Sequence, residues 1–277
     1  MQKILITYGT SEFQNSILRL QKEAKALNIF DRIILFRPKD LSPYIQSSPL
    51  MAFARGGGYW IWKPYIIWKT LNDYPNAIVV YVDGGCSLHT SSEWNEYFEQ
   101  MKEYNTIVFH YRNDYDYKWD QSYTSNSTEI QYWTKKTTLQ YFDSLFSNQT
   151  WRQFNKIFGG FIICKGGQNK FISEWLSISL IHPELIIDPI GNEITNQDKS
   201  FAQHRHDQCI ITPLAYFTAT NQPILILPET CESHHSTAAV SASRIKYVPQ
   251  IKLKTRLIGI IKYIIGEKTY NFLHFYK

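Results

Sequence analysis

The stretch AIVVYVDGGC, residues 77–86, joins an uninterrupted apolar run to a single carboxylate. A short apolar run bounded by turn residues is typical of a fully buried strand. Asp83 then stands at the C-terminal end of that strand, and Gly84 and Gly85 leave the next two positions without side chains. Ligands of open α/β sheets bind beyond the carboxyl ends of the strands. The stretch therefore predicts a site at Asp83, with a plain Asp-Gly turn as the alternative.

The segments around this strand alternate between strand and helix patterns. Residues 3–7 and 31–36 are apolar runs, and between them Phe13, Ile17 and Leu20 recur at helical spacing. Strand, helix and strand in this order predict a βαβ unit and a parallel sheet. Further strands are predicted at residues 105–110, 159–165 and 223–228, and further helices at residues 64–72, 168–181 and 208–219, the last interrupted or bent by Pro213.

The composition bounds the class of protein. The chain has 277 residues, 44% of them hydrophobic, which is enough for one large domain with a real core. A net charge of +5 is too mild to indicate nucleic acid by itself, and it suits an anionic small substrate or an anionic membrane surface. The four cysteines form no CxxC pair, which argues against structural zinc and favours a reducing compartment. With no signal-peptide pattern and no run of about 20 apolar residues, a cytoplasmic location is expected.

The domain organisation is predicted to be one domain, residues 1–248, followed by a basic amphipathic tail, residues 249–277. The tail intersperses lysine and arginine among leucine and isoleucine. A basic amphipathic helix can lie on an anionic membrane, here the inner face of the cell membrane. The alternative is a terminal helix packed on the domain with its lysines in water.

The glycine-rich stretch ARGGGYWIWKP, residues 54–64, is a candidate anion site. Three glycines precede a helix N-terminus, where free N–H groups and the helix dipole bind phosphate. Arg55 and Lys63 add positive charge, and Tyr59 offers a flat face to a base or sugar. The spacing matches neither a P-loop nor a dinucleotide fingerprint. The alternative is a loop whose aromatic residues cover the core.

Two further stretches carry candidate site residues. HRHDQ places His204, His206, Asp207 and Gln208 ahead of an apolar helix. Imidazoles and a carboxylate there can bind a metal, orient a sugar or act as a general base. A metal-dependent hydrolase built on the two histidines and Asp207 is therefore one hypothesis. FGGFIICK, residues 158–165, has a glycine pair at a strand entry, which indicates tight packing or a ligand passing close.

Taken together and in order, RGGGYWIWKPYIIWKTL, IVVYVDGGC, GGFIICK and HRHDQCIITPL resemble a bacterial glycosyltransferase family of surface-polysaccharide gene clusters. Its members build capsule or lipopolysaccharide O-chains, and the resemblance covers roughly residues 1 to 230. It implies a GT-A-like nucleotide-diphospho-sugar transferase fold, an α/β fold with a mostly parallel central sheet and flanking helices. The implied activity is hexosyl transfer from a nucleotide-sugar donor to a growing surface polysaccharide or lipid-linked oligosaccharide.

The resemblance also implies roles for single residues. Asp83 takes the place of the first aspartate of a DxD motif, which holds Mn²⁺ or Mg²⁺ against the donor diphosphate, while Gly85 replaces the second acid. Either Asp83 and His206 bind the metal together, or no metal is used and Arg55, Lys63 or His204 balances the diphosphate. Asp207, Asp83 and His206 are the implied catalytic residues. Asp207 is the base if the reaction inverts, and it only positions the sugar if configuration is retained.

The implied donor-binding set extends over the four stretches and the end of the first strand. Its members are Thr7, Tyr8, Gly9, Arg55, Tyr59, Lys63, Asp83, Gly84, Gly85, Gly159, Gly160, His204 and Gln208. Because the second acid is missing, a non-catalytic protein that binds sugar nucleotides or carbohydrate on the same fold is the remaining alternative. A nucleic-acid partner is not expected.

Overall fold

The computed structural model describes residues 1–119, 127–218, 223–233 and 235–244. These ranges contain every predicted site residue. The predicted tail, residues 249–277, and the domain boundary at residue 248 lie outside the described residues, so both stay predictions.

The strands are β1 Gln2–Tyr8, β2 Arg32–Phe36, β3 Ala77–Val82, β4 Ser87–Leu88, β5 Thr106–His110, β6 Phe161–Lys165, β7 Ile224–Pro228 and β8 Val240–Ser241. Within the described residues, a central sheet of six strands has the order β2-β1-β3-β6-β5-β7, and a small second sheet pairs β4 with β8. Five of the six central strands run in one direction, and β6 runs against them. The predicted α/β fold with a mostly parallel central sheet and flanking helices is therefore confirmed.

The helices connect the strands and flank the sheet. The longer ones are α1 Gln14–Leu27, α2 Trp62–Asp73, α3 Glu93–Gln100, α4 Lys136–Phe146, α5 Lys170–Ile181 and α6 Asp207–Thr218. Pro64 lies in the first turn of α2, where its missing N–H is not needed. Helix α6 continues through Pro213 and is not interrupted there.

Strand β3 explains how the sheet positions a site. All six of its residues are buried, and they alternate between two hydrophobic clusters. Val79 and Tyr81 pack in the cluster that also holds residues of α2, α5 and α6, while Val80 and Val82 pack in the other. Each fully buried valine contributes about 1.5–3 kcal/mol relative to an exposed one. Because side chains two positions apart share a face, Asp83 follows Tyr81 toward α2 and α6.

Among the helices of the described ranges, none has the length and apolar character needed to cross a membrane.

Candidate functional site

Three charged side chains from three elements meet at the carboxyl end of β3. Lys63, in the first turn of α2, is only 1% exposed. Its Nζ donates to Asp207 Oδ2 at 2.5 Å and to the Gly159 carbonyl oxygen at 3.0 Å, and it lies 3.3 Å from Asp83 Oδ1. Burial by itself would lower the pKa of Lys63, but the charges of Asp207 and Asp83 outweigh it and the pKa is raised. Lys63 is therefore a buried cation shared by two carboxylates, and we call these three residues the charged centre.

Local structure holds each carboxylate of the charged centre in place. The Tyr81 hydroxyl donates to Asp83 Oδ1, and the Asp83 backbone N–H donates to the Gly160 carbonyl oxygen at 2.8 Å. Asp207 is the first residue of α6, where a carboxylate interacts favourably with the helix dipole. Its Oδ1 accepts the Gln208 backbone N–H at 3.0 Å.

The two carboxylates differ in solvent exposure and in whether they have an oxygen without a hydrogen bond. Asp83 has a side chain that is 36% exposed, and its Oδ2 has no donor among the described residues. The Asp207 side chain is 9% exposed, and both of its oxygens accept hydrogen bonds. Asp83 is therefore the carboxylate that can contact a ligand without breaking a protein hydrogen bond.

Glycines 159 and 160 make room for this arrangement. A Cβ on Gly159 would lie 2.7 Å from Asp207 Oδ2, and a Cβ on Gly160 would lie 2.5 Å from the Phe158 ring and 3.1 Å from Asp83 Oδ2. The strand entry thus needs glycine because the two carboxylates and the Phe158 ring occupy the space of the missing side chains.

The Gly159→Ala variant is expected to displace Asp207 from Lys63. Overpacking of this kind costs about 1–3 kcal/mol of unfolding free energy, which urea denaturation can measure. Gly85→Ala is the matched control, because a Cβ there meets its nearest atom at 3.8 Å. Equal losses in the two variants would contradict this account of the glycine pair.

A second group, which we call the rim cluster, adjoins the charged centre through the peptide bond between residues 206 and 207. It consists of Arg55, Tyr59, Asp188 and His206. Arg55 Nε donates to His206 Nε2 at 2.9 Å and lies 3.4 Å from Asp188 Oδ2, which accepts the Tyr59 hydroxyl at 3.1 Å. His206 Nδ1 donates to the Ile186 carbonyl oxygen at 2.8 Å. Burial lowers the pKa of His206, so the ring is neutral and accepts from Arg55.

The predicted metal site of Asp83 and His206 does not fit these side chains. Both ring nitrogens of His206 are engaged within the protein, and the ammonium of Lys63 lies beside Asp83 Oδ1. The described part of the chain contains no group of three His, Cys, Asp or Glu side chains placed to hold a metal ion. The physical reason is that Arg55 already donates to the ring nitrogen of His206 that a metal would need, and that the ammonium of Lys63 beside Asp83 repels a second cation.

His204 is buried, and both of its ring nitrogens contact other parts of the protein. Its Nδ1 accepts the Lys135 backbone N–H at 3.2 Å, and its Nε2 donates to the Leu185 carbonyl oxygen at 2.9 Å. Burial lowers the pKa of His204 well below its ordinary value, and the positive charge of Lys135 lowers it further. His204 is thus neutral in the folded protein, and its predicted contact with the donor stays a prediction.

Stability is expected to fall as the pH decreases through about 6.5, the ordinary histidine pKa. The unfolded chain then takes up a proton at residue 204 that the folded chain does not, which costs at most about 1.4 kcal/mol per pH unit for this residue. Urea unfolding between about pH 7.5 and 5.5 measures the slope. The His204→Gln variant should show a smaller decrease than the wild type, and an unchanged slope would rule out His204 as its source.

The end of β1 lies next to the loop after β3. A Cβ on Gly84 would lie 2.9 Å from Ile17 Cγ2 of α1 and 3.8 Å from Thr7 Oγ1, and a Cβ on Gly9 would meet the same Ile17 atom. Gly9 and Gly84 therefore lack side chains because α1 packs directly against both strand ends. Tyr8 stacks on Trp62 with ring centroids 3.9 Å apart, and burial raises the pKa of Tyr8 to about 12.

Three predicted donor-binding residues have buried polar atoms for which the described part of the chain provides no hydrogen-bond partner. They are Thr7 Oγ1, Tyr8 Oη and Gln208 Oε1. Buried polar groups are nearly always paired, so each such atom needs a partner from water or a ligand. These three atoms are therefore candidates for contact with a ligand.

No protein-family model matches the sequence, and a search of curated proteins finds no match. The solved structures that are similar in fold include the following two. A glycosyltransferase involved in glycosylation of the major capsid of PBCV-1 has a TM-score of 0.45 and 9% identity, with 87% of this chain and 93% of that chain covered. Mouse xyloside xylosyltransferase 1 has a TM-score of 0.37 and 14% identity, with 83% and 85% covered. Both are glycosyltransferases. At these scores, neither likeness bears on reaction or substrate.

The structure brings most of the predicted residues together and adds two. Asp83, Lys63, Asp207 and the glycine pair form one centre, and Arg55, Tyr59 and His206 form the adjoining rim cluster. Sequence reasoning missed Tyr81 and Asp188. Asp188 is a lone acid between two isoleucines and a proline, and the only signal it carried was a carboxylate in an otherwise apolar segment.

Proposed function

We propose that this protein is a hexosyl-type glycosyltransferase of surface-polysaccharide synthesis. It moves a sugar from a nucleotide-sugar donor to a growing polysaccharide or lipid-linked oligosaccharide. The observation that supports this most is the meeting of Asp83 and Asp207 on Lys63 at the carboxyl end of β3. That edge is where open α/β sheets bind their ligands.

The donor lies, in this proposal, across the ends of β1 and β3. Thr7 Oγ1 and Tyr8 Oη, which have no hydrogen-bond partner among the described residues, bind its base and ribose. Gln208, next to the charged centre, has a side-chain oxygen that is likewise unpaired there, and this oxygen accepts from a hydroxyl of the transferred sugar. The four sequence stretches that carry the resemblance to the polysaccharide family each contribute residues to the charged centre or to the adjoining rim cluster, which supports the proposal.

The reaction breaks the bond between the anomeric carbon and the diphosphate oxygen, and the acceptor oxygen bonds to that carbon. Asp83 Oδ2 binds the reacting hydroxyl and takes up its proton as that oxygen bonds to the anomeric carbon, because it is the open carboxylate oxygen of the charged centre. Lys63 offsets the negative charge of both carboxylates, so that the diphosphate meets a site closer to neutral. Asp207 holds Lys63 in position. The alternative is that Asp207 is the base, as the resemblance implies for an inverting reaction, and no step of this mechanism passes through a metal ion.

A donor screen tests the proposal. Thermal-shift measurements with UDP-, GDP- and CMP-sugars, each with and without Mn²⁺ or Mg²⁺, identify the class that binds. A product assay with acceptor glycans then follows. Binding together with transfer is the expected result. Binding without turnover in the presence of acceptor would favour the non-catalytic alternative.

The hydrolase alternative receives less support from the geometry. It requires free ring nitrogens on His204 and His206, and both histidines use both nitrogens within the described structure. Tight zinc in the purified protein, without any binding of sugar nucleotides, would nevertheless favour it over transfer.

Contact with the inner face of an anionic membrane belongs to the same proposal, since a lipid-linked acceptor lies there. The basic tail, residues 249–277, is the segment proposed to make it. A chain ending at Val248 is expected to lose binding to phosphatidylglycerol vesicles in a sedimentation assay. Unchanged sedimentation would show that the tail does not hold the protein on the membrane.

A further inference from the structure

Left-handed backbone torsions are concentrated at the rim cluster. Five consecutive residues have positive φ, namely Gly56 at 58°, Gly57 at 55°, Gly58 at 101°, Tyr59 at 51° and Trp60 at 59°. His206 adds a sixth at 51°. Glycine adopts such torsions freely, but residues with a Cβ do so at a cost in free energy. Such strain persists only where the surrounding structure holds it, and it is frequent at ligand sites.

The strained residues pack on one another. The Trp60 ring stacks on the His206 ring with centroids 5.0 Å apart, and Tyr59 lies 5.3 Å from the same ring. A Cβ on Gly56 would lie 2.4 Å from the indole of Trp60, so the glycine lets the chain fold back against that ring. This packing fixes the position of the residue immediately before the glycines, Arg55.

Arg55 and Asp188 are the exposed members of the rim cluster. Their side chains are 44% and 33% exposed. Arg55 is held through Nε alone, so that both terminal nitrogens lack an acceptor among the described residues. Asp188 is held through Oδ2, while its Oδ1 lies 3.8 Å from the nearest nitrogen of His206, beyond hydrogen-bond distance. The pair thus presents two open donors beside one open acceptor oxygen.

This combination fits hydroxyl groups better than a diphosphate. Asp188 cancels the charge of Arg55, so the pair offers no net positive charge to an anion. Neighbouring hydroxyls of a sugar each donate one hydrogen bond and accept others, which matches a guanidinium beside a carboxylate. We infer that Arg55 and Asp188 bind vicinal hydroxyls of a sugar, next to the charged centre. The inference rests on the proposed function, and it gives Arg55 a different ligand group from the diphosphate expected from the sequence.

The Asp188→Asn and Arg55→Lys variants test this, with Asp73→Asn as the matched control. Asp73 is an exposed carboxylate paired with Lys69 at the far end of α2. Titration calorimetry compares the bound nucleotide sugar with the same nucleoside diphosphate lacking the sugar. If the hydroxyls belong to the donor, both variants bind the nucleotide sugar about ten-fold more weakly than the wild type does. Their affinity for the nucleoside diphosphate stays nearly unchanged. If they belong to the acceptor, the KM for the acceptor rises about ten-fold while kcat is largely kept.

The inference would be overturned if the variants lost the same affinity for the nucleotide sugar and for the nucleoside diphosphate. It would also be overturned if neither the affinity for the donor nor the KM for the acceptor changed. Thermal unfolding shows whether a variant is folded, and Arg55→Lys keeps the charge if Asp188→Asn is unstable. If the wild type transfers sugar and both variants have the same donor affinity and acceptor KM as the wild type, the inference is refuted but the proposed function is not. A wild-type protein that binds no sugar nucleotide refutes the proposed function and the inference together.

Discussion

The Asp83→Asn variant is expected to transfer sugar about 10²- to 10⁴-fold more slowly than the wild type while remaining folded. Asparagine keeps the size of the side chain and can still accept from Tyr81 and Lys63, so the local packing is preserved. What it loses is the negative charge of the open Oδ2, which can no longer accept a proton. Single-turnover assays with saturating donor measure the chemical step, and circular dichroism with thermal unfolding verifies the fold.

Asp207→Asn is the matched control for Asp83, because the two carboxylates share the same lysine. Its amide oxygen can still accept from Lys63, so a smaller loss of rate is expected than for Asp83→Asn. A larger loss for Asp207→Asn would make Asp207 the base, as the resemblance implies for an inverting reaction. Wild-type rates in the Asp83 variant would refute the assignment of the charged centre.

The second large effect is expected on stability. The Lys63→Met variant should lose about 3–5 kcal/mol of unfolding free energy, because it leaves buried carboxylate charge without a partner. Asp207 accounts for most of this, since the more exposed Asp83 is partly screened by water. Urea denaturation at neutral pH measures the loss. Methionine fills a similar volume, so the loss of packing is small.

Lys69→Met on the same helix is the control for Lys63. Lys69 pairs with Asp73 at 2.7 Å on the exposed face of α2. Exposed pairs of this kind contribute about 0–1 kcal/mol to the free energy of unfolding. Their loss should therefore barely change the midpoint of urea denaturation. A triple variant that also carries Asp83→Asn and Asp207→Asn should regain part of the stability lost by Lys63→Met. If Lys63→Met is as stable as Lys69→Met, the buried charges are not coupled as described.

Much of the fold could be predicted because the signals that carry it are local. The apolar run of β3, the helical spacing of α1 and the βαβ order each depend on residues within a few positions of one another. The predicted strand at residues 105–110 is observed as Thr106–His110, and the predicted helix at residues 64–72 lies within Trp62–Asp73. The reversed direction of β6 was not predicted, because strand direction depends on which neighbours pair and not on the strand's own residues.

The sequence by itself determined the fold class and the residue types at the strand ends, including a lone carboxylate after a buried strand. Only the tertiary structure decided their partners. Lys63 and Asp207 are 144 positions apart, and Tyr59 and Asp188 are 129 apart. Ion pairs over such separations leave no periodic pattern in a sequence. They form because packing of the helices on the sheet brings the groups within hydrogen-bond distance, where burial makes an unpaired charge too costly to tolerate.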